Sequence, residues 1–160
     1  MAFAIRLPLP PSVNNYWQQG RNGKRFISDR GRKYRDEVII AIRERTNGVK
    51  RSAKAIRLEV RITNSQRWPI DFDNGMKSLA DALCHAGLFW DDSQILQCVT
   101  TIEAVSGAGW VDIRVIGIGE FDSLPQYAKD RVRRLITETE LGPRPRPAKR
   151  KVVARPRIRR

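Results

Sequence analysis

A lysine and several aspartates within one short stretch could together hold a metal ion and a phosphate. They are Asp71, Asp73, Lys77, Asp91 and Asp92. Carboxylates are hard oxygen ligands for Mg²⁺, which takes few ligands from a protein and completes its shell with water and substrate phosphate. A lysine ammonium near such a ligand could hold a phosphate oxygen or stabilise charge that develops on it. The acids are unexpected in a chain of net charge +14, and metal-dependent phosphate chemistry would explain them.

The spacing of apolar residues predicts how these side chains are presented. An extended segment from Ile70 to Asp73 would place the carboxylates of Asp71 and Asp73 on one face. From Asp73 onward, apolar residues recur three and four positions apart and predict an amphipathic helix; they are Met76, Leu79, Ala80, Leu83 and Ala86. We expect Asp73 or Asn74 to cap this helix and Gly87 to end it.

The same charges have a simpler explanation. Asp73, Lys77 and Asp81 recur at intervals of four residues, and such charges commonly lie on a solvated helix face. Each pair there contributes about 0.2–0.5 kcal/mol. Two aspartates separated by one residue also occur often by chance. Spacing alone therefore leaves both interpretations open.

The stretch I-D-F-D-N-G-M-K-S-L-A-D-A-L-C-H-A-G-L-F-W-D-D-S-Q, residues 70–94, resembles the signature of RusA-type Holliday junction resolvases. That signature is D-x-D-N-x-x-K, then a D-A-L helix, then A-G-x-x-x-D-D-x-Q, and every fixed position is present. The segments L-P-L-P-P-S-V-N-N-Y-W (7–17) and Y-R-D-E-V (34–38) also resemble the family's opening. The likeness extends from about Ile5 to the strands after Gln94, and the tail after Leu141 lies outside it.

The resemblance implies a structure-selective DNA endonuclease that resolves four-way junctions by paired symmetric nicks, in recombination and repair. It also implies Mg²⁺ as the cofactor and Asp71, Asp73 and Asp92 as its ligands. Lys77 would be an essential base or a cation that contacts phosphate. Asp91 is the alternative third ligand, and Asp92 is preferred because its distance in sequence from Asp71 matches the family.

Two nicks in a two-fold-symmetric junction are simplest for a homodimer with two identical sites. The two acidic clusters lie at opposite ends of the predicted helix, whose length is roughly 18 Å. They can meet only if the chain from Gly87 to Asp92 folds back past the helix start, or if a neighbouring subunit contributes.

Two other functions remain open from the residues themselves. One is a non-catalytic accessory protein that binds branched DNA. The other is a nuclease that acts on RNA or on branched flaps. The clustered acids argue for catalysis, because acids in a DNA-facing groove would repel phosphate without a metal.

Basic residues suit a polyanionic partner such as branched DNA. Lys and Arg number 31 against 17 acids, and nine of the basic residues but no acid lie in residues 143–160. This tail has too few apolar residues for a core and is expected to be disordered; the tail residues predicted to bind DNA are Arg144, Arg146, Lys149, Arg150 and Lys151.

A second candidate DNA-binding group mixes aromatic and basic side chains; its members are Tyr16, Trp17, Arg21, Lys24 and Arg25. Such a mixture can stack on exposed bases and hold phosphates. A loop that folds over the edge of a core uses the same residue types, so both interpretations remain open.

Other patterns exclude several classes. No apolar run approaches membrane-spanning length and no signal peptide is evident, so we expect a cytoplasmic protein without a membrane partner. The chain contains a single histidine, His85, which excludes a His-based zinc site; we expect it at a helix end. Cys84 and Cys98 form no C-x-x-C motif and are expected to be buried apolar residues.

The order of elements predicts one small α+β (mixed α/β) domain, residues 1–142, with helices packed on a largely antiparallel or mixed sheet. Residues 143–160 form the basic, disordered tail. Further helices are predicted from 29 to 46, after an N-cap at Ser28 and before a stop at Asn47 and Gly48, and from 125 to 139. The inward face of the first is formed by Tyr34, Val38, Ile42 and Ala41, and the apolar residues of the second are Tyr127, Val132, Leu135 and Ile136. Strands are predicted at 2–7, 24–27, 55–63, 95–105 and 110–118, with the last two as a hairpin. Residues 12–23 are predicted as a loop.

Overall fold

The computed structural model of the chain describes residues 2–46, 50–64, 72–104 and 109–141, without the side chains of residues 72, 73, 104 and 141. Its strands are β1 (Ala2–Pro8), β2 (Trp17–Gln19), β3 (Arg25–Ile27), β4 (Ala55–Asn64), β5 (Ile95–Ala104) and β6 (Trp110–Gly119). Its helices are α1 (Val13–Tyr16), α2 (Asp29–Thr46), α3 (Phe72–His85) and α4 (Gln126–Leu141), with 3₁₀ turns at Asp92–Gln94 and Phe121–Ser123.

The main sheet has four strands in the order β1-β6-β4-β5 among the residues described. β6 is antiparallel to both β1 and β4, whereas β5 is parallel to β4. This mixed sheet confirms the expected fold class. The predicted hairpin of β5 with β6 is wrong, because β4 lies between them. A parallel pair needs a crossover connection, and α3 lies in the connection between β4 and β5.

The core lies between the sheet and the helices α2 and α3. Alternation along β4 sends Ile56, Leu58 and Ile62 inward, each 1% exposed, while Arg57 and Arg61 lie on the opposite, open face. The predicted inward residues of α2, Tyr34, Val38 and Ile42, are buried in the same cluster as Leu79 and Leu83 of α3. The helical and strand periods in the sequence therefore identify the buried faces correctly.

Helix α2 begins where its cap predicts. The hydroxyl oxygen of Ser28 accepts a hydrogen bond from the Gly31 N–H at 2.9 Å, which satisfies one of the unpaired donors of the first turn. The predicted stop at Asn47 and Gly48 lies outside the described residues.

Helix α3 ends in a Schellman motif at the predicted glycine. Gly87 has a φ of 85°, a conformation that glycine adopts without a steric penalty. Its N–H donates to the Cys84 carbonyl at 3.0 Å, and the Leu88 N–H donates to the Leu83 carbonyl at 3.2 Å. This pattern caps the last carbonyls and turns the chain so that Leu88 and Phe89 enter the core.

The start of α3 differs from expectation. The helix begins at Phe72, so the extended conformation predicted up to Asp73 is wrong at residues 72 and 73. Asp73 and Asn74 lie inside the first turn rather than at the cap. Ile70 and Asp71 lie outside the described residues.

Three further local predictions are wrong. Residues 12–23 contain α1 and β2 rather than a continuous loop, and β2 pairs with β3 in a separate two-stranded sheet. Tyr127 of α4, predicted to face inward, is 61% exposed. Cys98 is exposed, because it lies on β5 at the edge of the sheet. Within the described ranges, no helix has both the length and the apolar character needed to cross a bilayer.

Candidate active site

A hydrogen-bonded turn presents the acidic pair between α3 and β5. Asp91 caps this turn, since its carboxylate Oδ1 accepts from the Ser93 N–H at 3.0 Å. The side-chain oxygen of Gln94 accepts from the N–H groups of Trp90 and Asp91 at 2.8 and 3.0 Å. The turn is thereby held by the residues of the D-D-x-Q pattern themselves.

Gln94 also anchors the turn to the rest of the fold. Its amide nitrogen donates to the carbonyls of Ser52 and Lys54 at 3.0 and 2.9 Å, just before β4. The side chain is fully buried, at 0% exposure, so losing these bonds would leave polar groups without partners. The last residue of the sequence signature therefore has a structural role in positioning the acids.

The two acids of the pair have different surroundings. Asp91 is buried, and its Oδ2 lies 3.1 Å from the Arg131 guanidinium of α4. Asp92 reaches solvent. The walls of the pocket partly desolvate Asp92, and this burial raises its pKa; the charge of Asp91 raises it further, whereas the charges of Arg131 and Lys77 oppose the shift. Two neighbouring carboxylates place negative charge that attracts a cation.

The pair opens into a pocket of about 290 Å³. The last turns of α3, the loop after it and α4 supply most of the wall; the lining residues are Arg51, Asp81, Cys84, His85, Trp90, Asp91, Asp92, Arg131 and Leu135. Burial raises the pKa of the Cys84 thiol, so this cysteine remains protonated near neutral pH and is no candidate nucleophile.

A larger hollow of about 440 Å³ lies on the open face of the sheet. Its acids are already paired: Glu59 lies 2.8 Å from Arg57 and 3.6 Å from Arg114, and Asp112 lies 2.7 Å from Arg6. Surface pairs of this kind contribute little and leave no spare carboxylate for a metal. The smaller pocket at Asp91 and Asp92 is the better candidate site.

Asp81 is engaged from the side of α2 and α1. Its Oδ2 accepts a short hydrogen bond from the Tyr16 hydroxyl and lies 2.9 Å from the Arg35 guanidinium. Burial, and next the bond to Asp81, raises the pKa of Tyr16 to about 12, so the phenol keeps its proton and donates. Asp81 is therefore a structural anchor and not a fully solvated helix residue.

Lys77 lies on α3 one turn before Asp81 and is exposed. Its charge acts on Asp92 in the direction that favours the ionised carboxylate. The simple surface-pair interpretation, in which Lys77 is balanced by Asp73 and Asp81, is weakened because Tyr16 and Arg35 already hold the Asp81 carboxylate.

The two acidic clusters lie at different ends of α3. Asp73 is in the first turn, whereas Asp91 and Asp92 share a pocket with Cys84 and His85 in the last turn. From Asp73 to Cys84 a helix rises roughly 16 Å. The chain after Gly87 thus brings the acidic pair beside the helix end and not past the helix start. Asp71 and the side chain of Asp73 lie outside the described part of the chain.

A divalent cation fits the donor chemistry of the pair. Among the residues whose side chains are described, no group of three or more ligand side chains converges on one point. Asp91 and Asp92 nevertheless supply hard oxygen donors, and Mg²⁺ commonly uses one or two carboxylates together with substrate phosphates. Asp71 and Asp73 would have to complete the set.

The aromatic and basic residues near the N-terminus divide into two groups. Tyr16 is 0% exposed, which for this residue favours the alternative of packing over the edge of the core. Trp17 packs edge-on against it with ring centroids 5.6 Å apart. Arg21, Lys24 and Arg25 are exposed on the β2–β3 hairpin. The five tail residues predicted to bind DNA lie outside the described part of the chain.

Sequence reasoning missed two arginines that line the pocket and a third that contacts one of its lining residues. Arg131 pairs with Asp91, Arg51 stacks over the Trp90 ring with its guanidinium carbon 4.9 Å from the centroid, and Arg35 holds Asp81. Arg35 could have been noticed inside the Y-R-D-E-V segment. No pattern in the sequence distinguishes Arg51 and Arg131 from the many other arginines of the chain.

Comparisons with known proteins agree with the resemblance in the sequence. The profile of a family described as Endodeoxyribonuclease RusA matches residues 8–116. A crossover junction endodeoxyribonuclease rusA of Enterobacteria phage HK97 is 40% identical over 93 residues, which is 58% of this chain and 75% of that protein.

Two bacterial proteins match a longer region. Crossover junction endodeoxyribonuclease RusA of Shigella sonnei (strain Ss046) is 31% identical over 118 residues, 73% of this chain and 96% of that protein. The protein of the same name from Escherichia coli (strain K12) is 30% identical over the same length and shares. The chain therefore belongs to the RusA endodeoxyribonuclease family.

Proposed function

We propose that this protein is a Mg²⁺-dependent endonuclease that resolves four-way (Holliday) DNA junctions by paired, symmetric nicks, as a homodimer in the cytoplasm. The acidic pair Asp91–Asp92, presented in a pocket among cationic side chains, is the observation that carries the proposal. It occurs in a chain of the RusA family, whose relatives are named crossover junction endodeoxyribonucleases. The net charge of +14 favours a DNA substrate.

Asp71, Asp73 and Asp92 are the proposed metal ligands. The choice of Asp92 over Asp91 is supported by the surroundings of the pair, since Asp91 is buried between the Ser93 N–H and Arg131. When bound, Mg²⁺ would supply positive charge that makes a nearby water more acidic and offsets charge on the phosphate. The carboxylates hold this charge in place, and the anchored Gln94 turn keeps Asp92 in position.

The proposed ligand set is shared between two protomers. Asp73 lies in the first turn of α3, and Asp71 comes just before that helix in the sequence. Asp92 lies in a pocket beside the last turns of the helix, and a helix rises roughly 16 Å between Asp73 and Cys84. A neighbouring subunit that supplies Asp92 to the Asp71 and Asp73 of the first protomer resolves this separation. A two-fold axis then generates two identical sites, which suits a two-fold-symmetric junction.

Lys77 is proposed to act on the substrate phosphate. Its ammonium is exposed on α3, and its charge reaches Asp92. A lysine in this position can hold a phosphate oxygen, stabilise charge that develops there, or carry a proton at Nζ. A Lys77→Arg variant keeps the positive charge but cannot release a proton near neutral pH. It therefore distinguishes binding or stabilising phosphate charge from carrying a proton.

A synthetic mobile four-way junction, labelled on each strand in turn, tests the function. We expect nicked duplex products with Mg²⁺, no cleavage with EDTA, and weak or no cleavage of a linear duplex of the same sequence. Flap and RNA substrates are the specificity controls. Tight binding to the junction without cleavage under any divalent ion would instead indicate an accessory DNA-binding protein.

A plasmid with an extruded cruciform tests the pairing of the nicks. Two coordinated nicks across the junction convert the plasmid directly to a linear form, whereas independent nicks accumulate as open circles. We expect linear product from the earliest time points. Open circles that precede all linear product would exclude coordinated nicking.

A further inference from the structure

Helix α4 brings an arginine to the candidate nuclease site from outside the part of the chain that matches the family. The profile match covers residues 8–116, whereas α4 spans Gln126–Leu141. Arg131 of this helix reaches Asp91 with an N···O distance of 3.1 Å. The pocket that holds the acidic pair is therefore partly built by an element beyond the matched region.

The contact with Asp91 uses only part of the Arg131 guanidinium. The Asp91 side chain is 11% exposed, but that of Arg131 remains 56% exposed. A guanidinium carries five N–H groups in one plane, and the contact to Asp91 is made by Nη2. Arg131 also lines the pocket, so its remaining N–H groups are donors to which a second acceptor there can bind.

Arg51 lines the same pocket from the segment before β4. Its guanidinium stacks on the ring of Trp90, with 4.9 Å between the guanidinium carbon and the ring centroid. A cation–π contact consumes no N–H hydrogen bond, so the planar set of donors can still bind a phosphate in bidentate fashion. The ring also orients the side chain before any ligand arrives.

The charges in the pocket leave room for an anion once a divalent cation is bound. Arg35 is paired with Asp81 at 2.9 Å and Arg131 with Asp91 at 3.1 Å. Asp92 remains as the acid that would hold the metal, and Arg51 and Lys77 remain as additional cations. A backbone phosphate would then meet arginine donors beside the metal instead of uncompensated acids.

We propose that Arg51 and Arg131 form a phosphate-binding pair at the rim of the pocket, which holds a DNA backbone phosphate next to the cleavage site. This inference rests on the proposed function for the identity of the polymer. It assigns α4 a role in substrate binding in addition to packing. Neither arginine needs to touch the scissile phosphate.

The test is the salt dependence of DNA binding by the full-length protein, measured at a fixed concentration of Ca²⁺ in place of Mg²⁺, under conditions where gels show that no strand is cut. The variants are Arg51→Gln, Arg131→Gln and the double variant, and the probes are a four-way junction and a linear duplex with the arm sequence. Loss of one phosphate contact lowers the slope of log K against log salt by about 0.9. We expect this change for each single variant and about twice as much for the double variant.

Matched controls separate a phosphate contact from other effects. Arg133→Gln removes the same charge from α4 at a side chain that stacks on Phe121 instead, 5.1 Å from the ring centroid, and should leave the slope unchanged. Arg131→Lys keeps the charge and should retain most of the slope. Circular dichroism checks that α4 remains folded in every variant.

Two results would overturn the inference. An unchanged slope for Arg131→Gln, together with slower cleavage of pre-bound junction, would mean that Arg131 only positions Asp91. An equal decrease of the salt slope for Arg131→Gln and Arg133→Gln would mean that DNA responds to the overall positive charge of α4 and not to a specific phosphate-binding site. Failure of the proposed function has a different signature: no junction cleavage by the wild-type protein with Mg²⁺, whatever the slopes.

Discussion

Arg35 of α2 donates from Nη2 to the Asp81 carboxylate of α3 at 2.9 Å, and the Tyr16 hydroxyl donates to the same oxygen. Their side chains belong to three different helices, so this one carboxylate ties α1 and α2 to the helix that carries Lys77. Both partners of the ion pair are largely shielded, with side-chain exposures of 18% and 30%.

The first prediction concerns the hydrogen bond between Tyr16 and Asp81. A double-mutant cycle of Tyr16→Phe and Asp81→Asn should give a coupling energy of about 1.5 kcal/mol, because a hydrogen bond to a charged acceptor is stronger than a neutral one. Unfolding in urea measures the free energies. Additive effects of the two changes would mean that the bond contributes nothing to stability.

The second prediction concerns the sharing of ligands between protomers. Asp71→Asn and Asp92→Asn should each lower cleavage by roughly 100-fold or more while junction binding is retained, since each removes one charge-holding group. A mixture of the two variants should recover cleavage, because a mixed dimer contains one site with both acids intact. Recovery is measured after subunit exchange, on pre-bound junction.

The control for that mixture is a pair of variants within one site. Asp71→Asn mixed with Asp73→Asn leaves no intact site in any dimer and should stay inactive under either arrangement. If the Asp71→Asn and Asp92→Asn mixture also stays inactive after proven exchange, the ligands come from a single chain.

The third prediction concerns Lys77. As a surface residue its truncation to alanine should cost only a few tenths of a kcal/mol in stability, yet cleavage should slow by about 100-fold or more if it stabilises charge at the phosphate. Lys77→Arg keeps the charge but cannot release a proton near neutral pH. Single-turnover rates with saturating Mg²⁺ measure both variants.

The outcome for the arginine variant distinguishes the roles of Lys77. Substantial activity indicates a charge that contacts phosphate, whereas loss as complete as in the alanine variant indicates proton transfer or a tight fit. Wild-type cleavage rates for both variants would mean that Lys77 is a solvated helix residue without a role in cleavage.

The fourth prediction concerns the glycine that ends α3. Gly87→Ala should lower the free energy of unfolding by about 1 kcal/mol, because φ of 85° is strained for a residue with a Cβ. Steric contact adds little, since the nearest atom to an added Cβ is 3.7 Å away, in Arg51. Gly23→Ala, at φ of 74° in open space, is the matched control for backbone strain remote from the acids.

The two glycine variants should differ in activity. Gly87 sets the direction of the chain that leads to Asp91 and Asp92, so Gly87→Ala should also reduce cleavage at temperatures where the protein stays folded. Gly23→Ala should not. Equal cleavage by both would mean that the Gln94 hydrogen bonds alone hold the acidic turn.

The fifth prediction concerns the basic tail. Deletion of residues 143–160 removes nine positive charges and should leave the melting temperature almost unchanged. If about six of these charges contact phosphates, the slope of log K against log salt should flatten by about five units. Unchanged affinity and slope would exclude the tail as a DNA anchor.

Elements with local signals could be predicted from the amino-acid sequence alone. The bounds of α2 follow from the cap at Ser28 and from apolar residues at a helical period, and β4 follows from strict alternation between Ala55 and Thr63. Gly87 marked the end of α3 because a left-handed residue there is a local requirement. The membership of the RusA family was also legible, since its signature lies within one continuous stretch.

The strand order was decided by tertiary structure. β5 and β6 are neighbours in sequence and looked like a hairpin, but pairing over long sequence distances inserted β4 between them. No local pattern encodes such a choice, because the same alternation of side chains serves a strand with either neighbour.

The surroundings of the acids were likewise decided by tertiary structure. In the sequence, only the resemblance to the family favoured Asp92 over Asp91. The contacts with Ser93 and Arg131 make Asp91 a buried, paired acid, whereas Asp92 reaches solvent. As an aromatic residue among basic ones, Tyr16 was a candidate for stacking on DNA bases, yet the fold buries it, and its hydroxyl donates to Asp81. Burial and long-range charge pairing depend on which elements pack together. The residue types that could carry the chemistry were therefore readable from the sequence, but their surroundings follow from the packing of α1 and α2 on α3 and from the contact of α4 with the acidic turn.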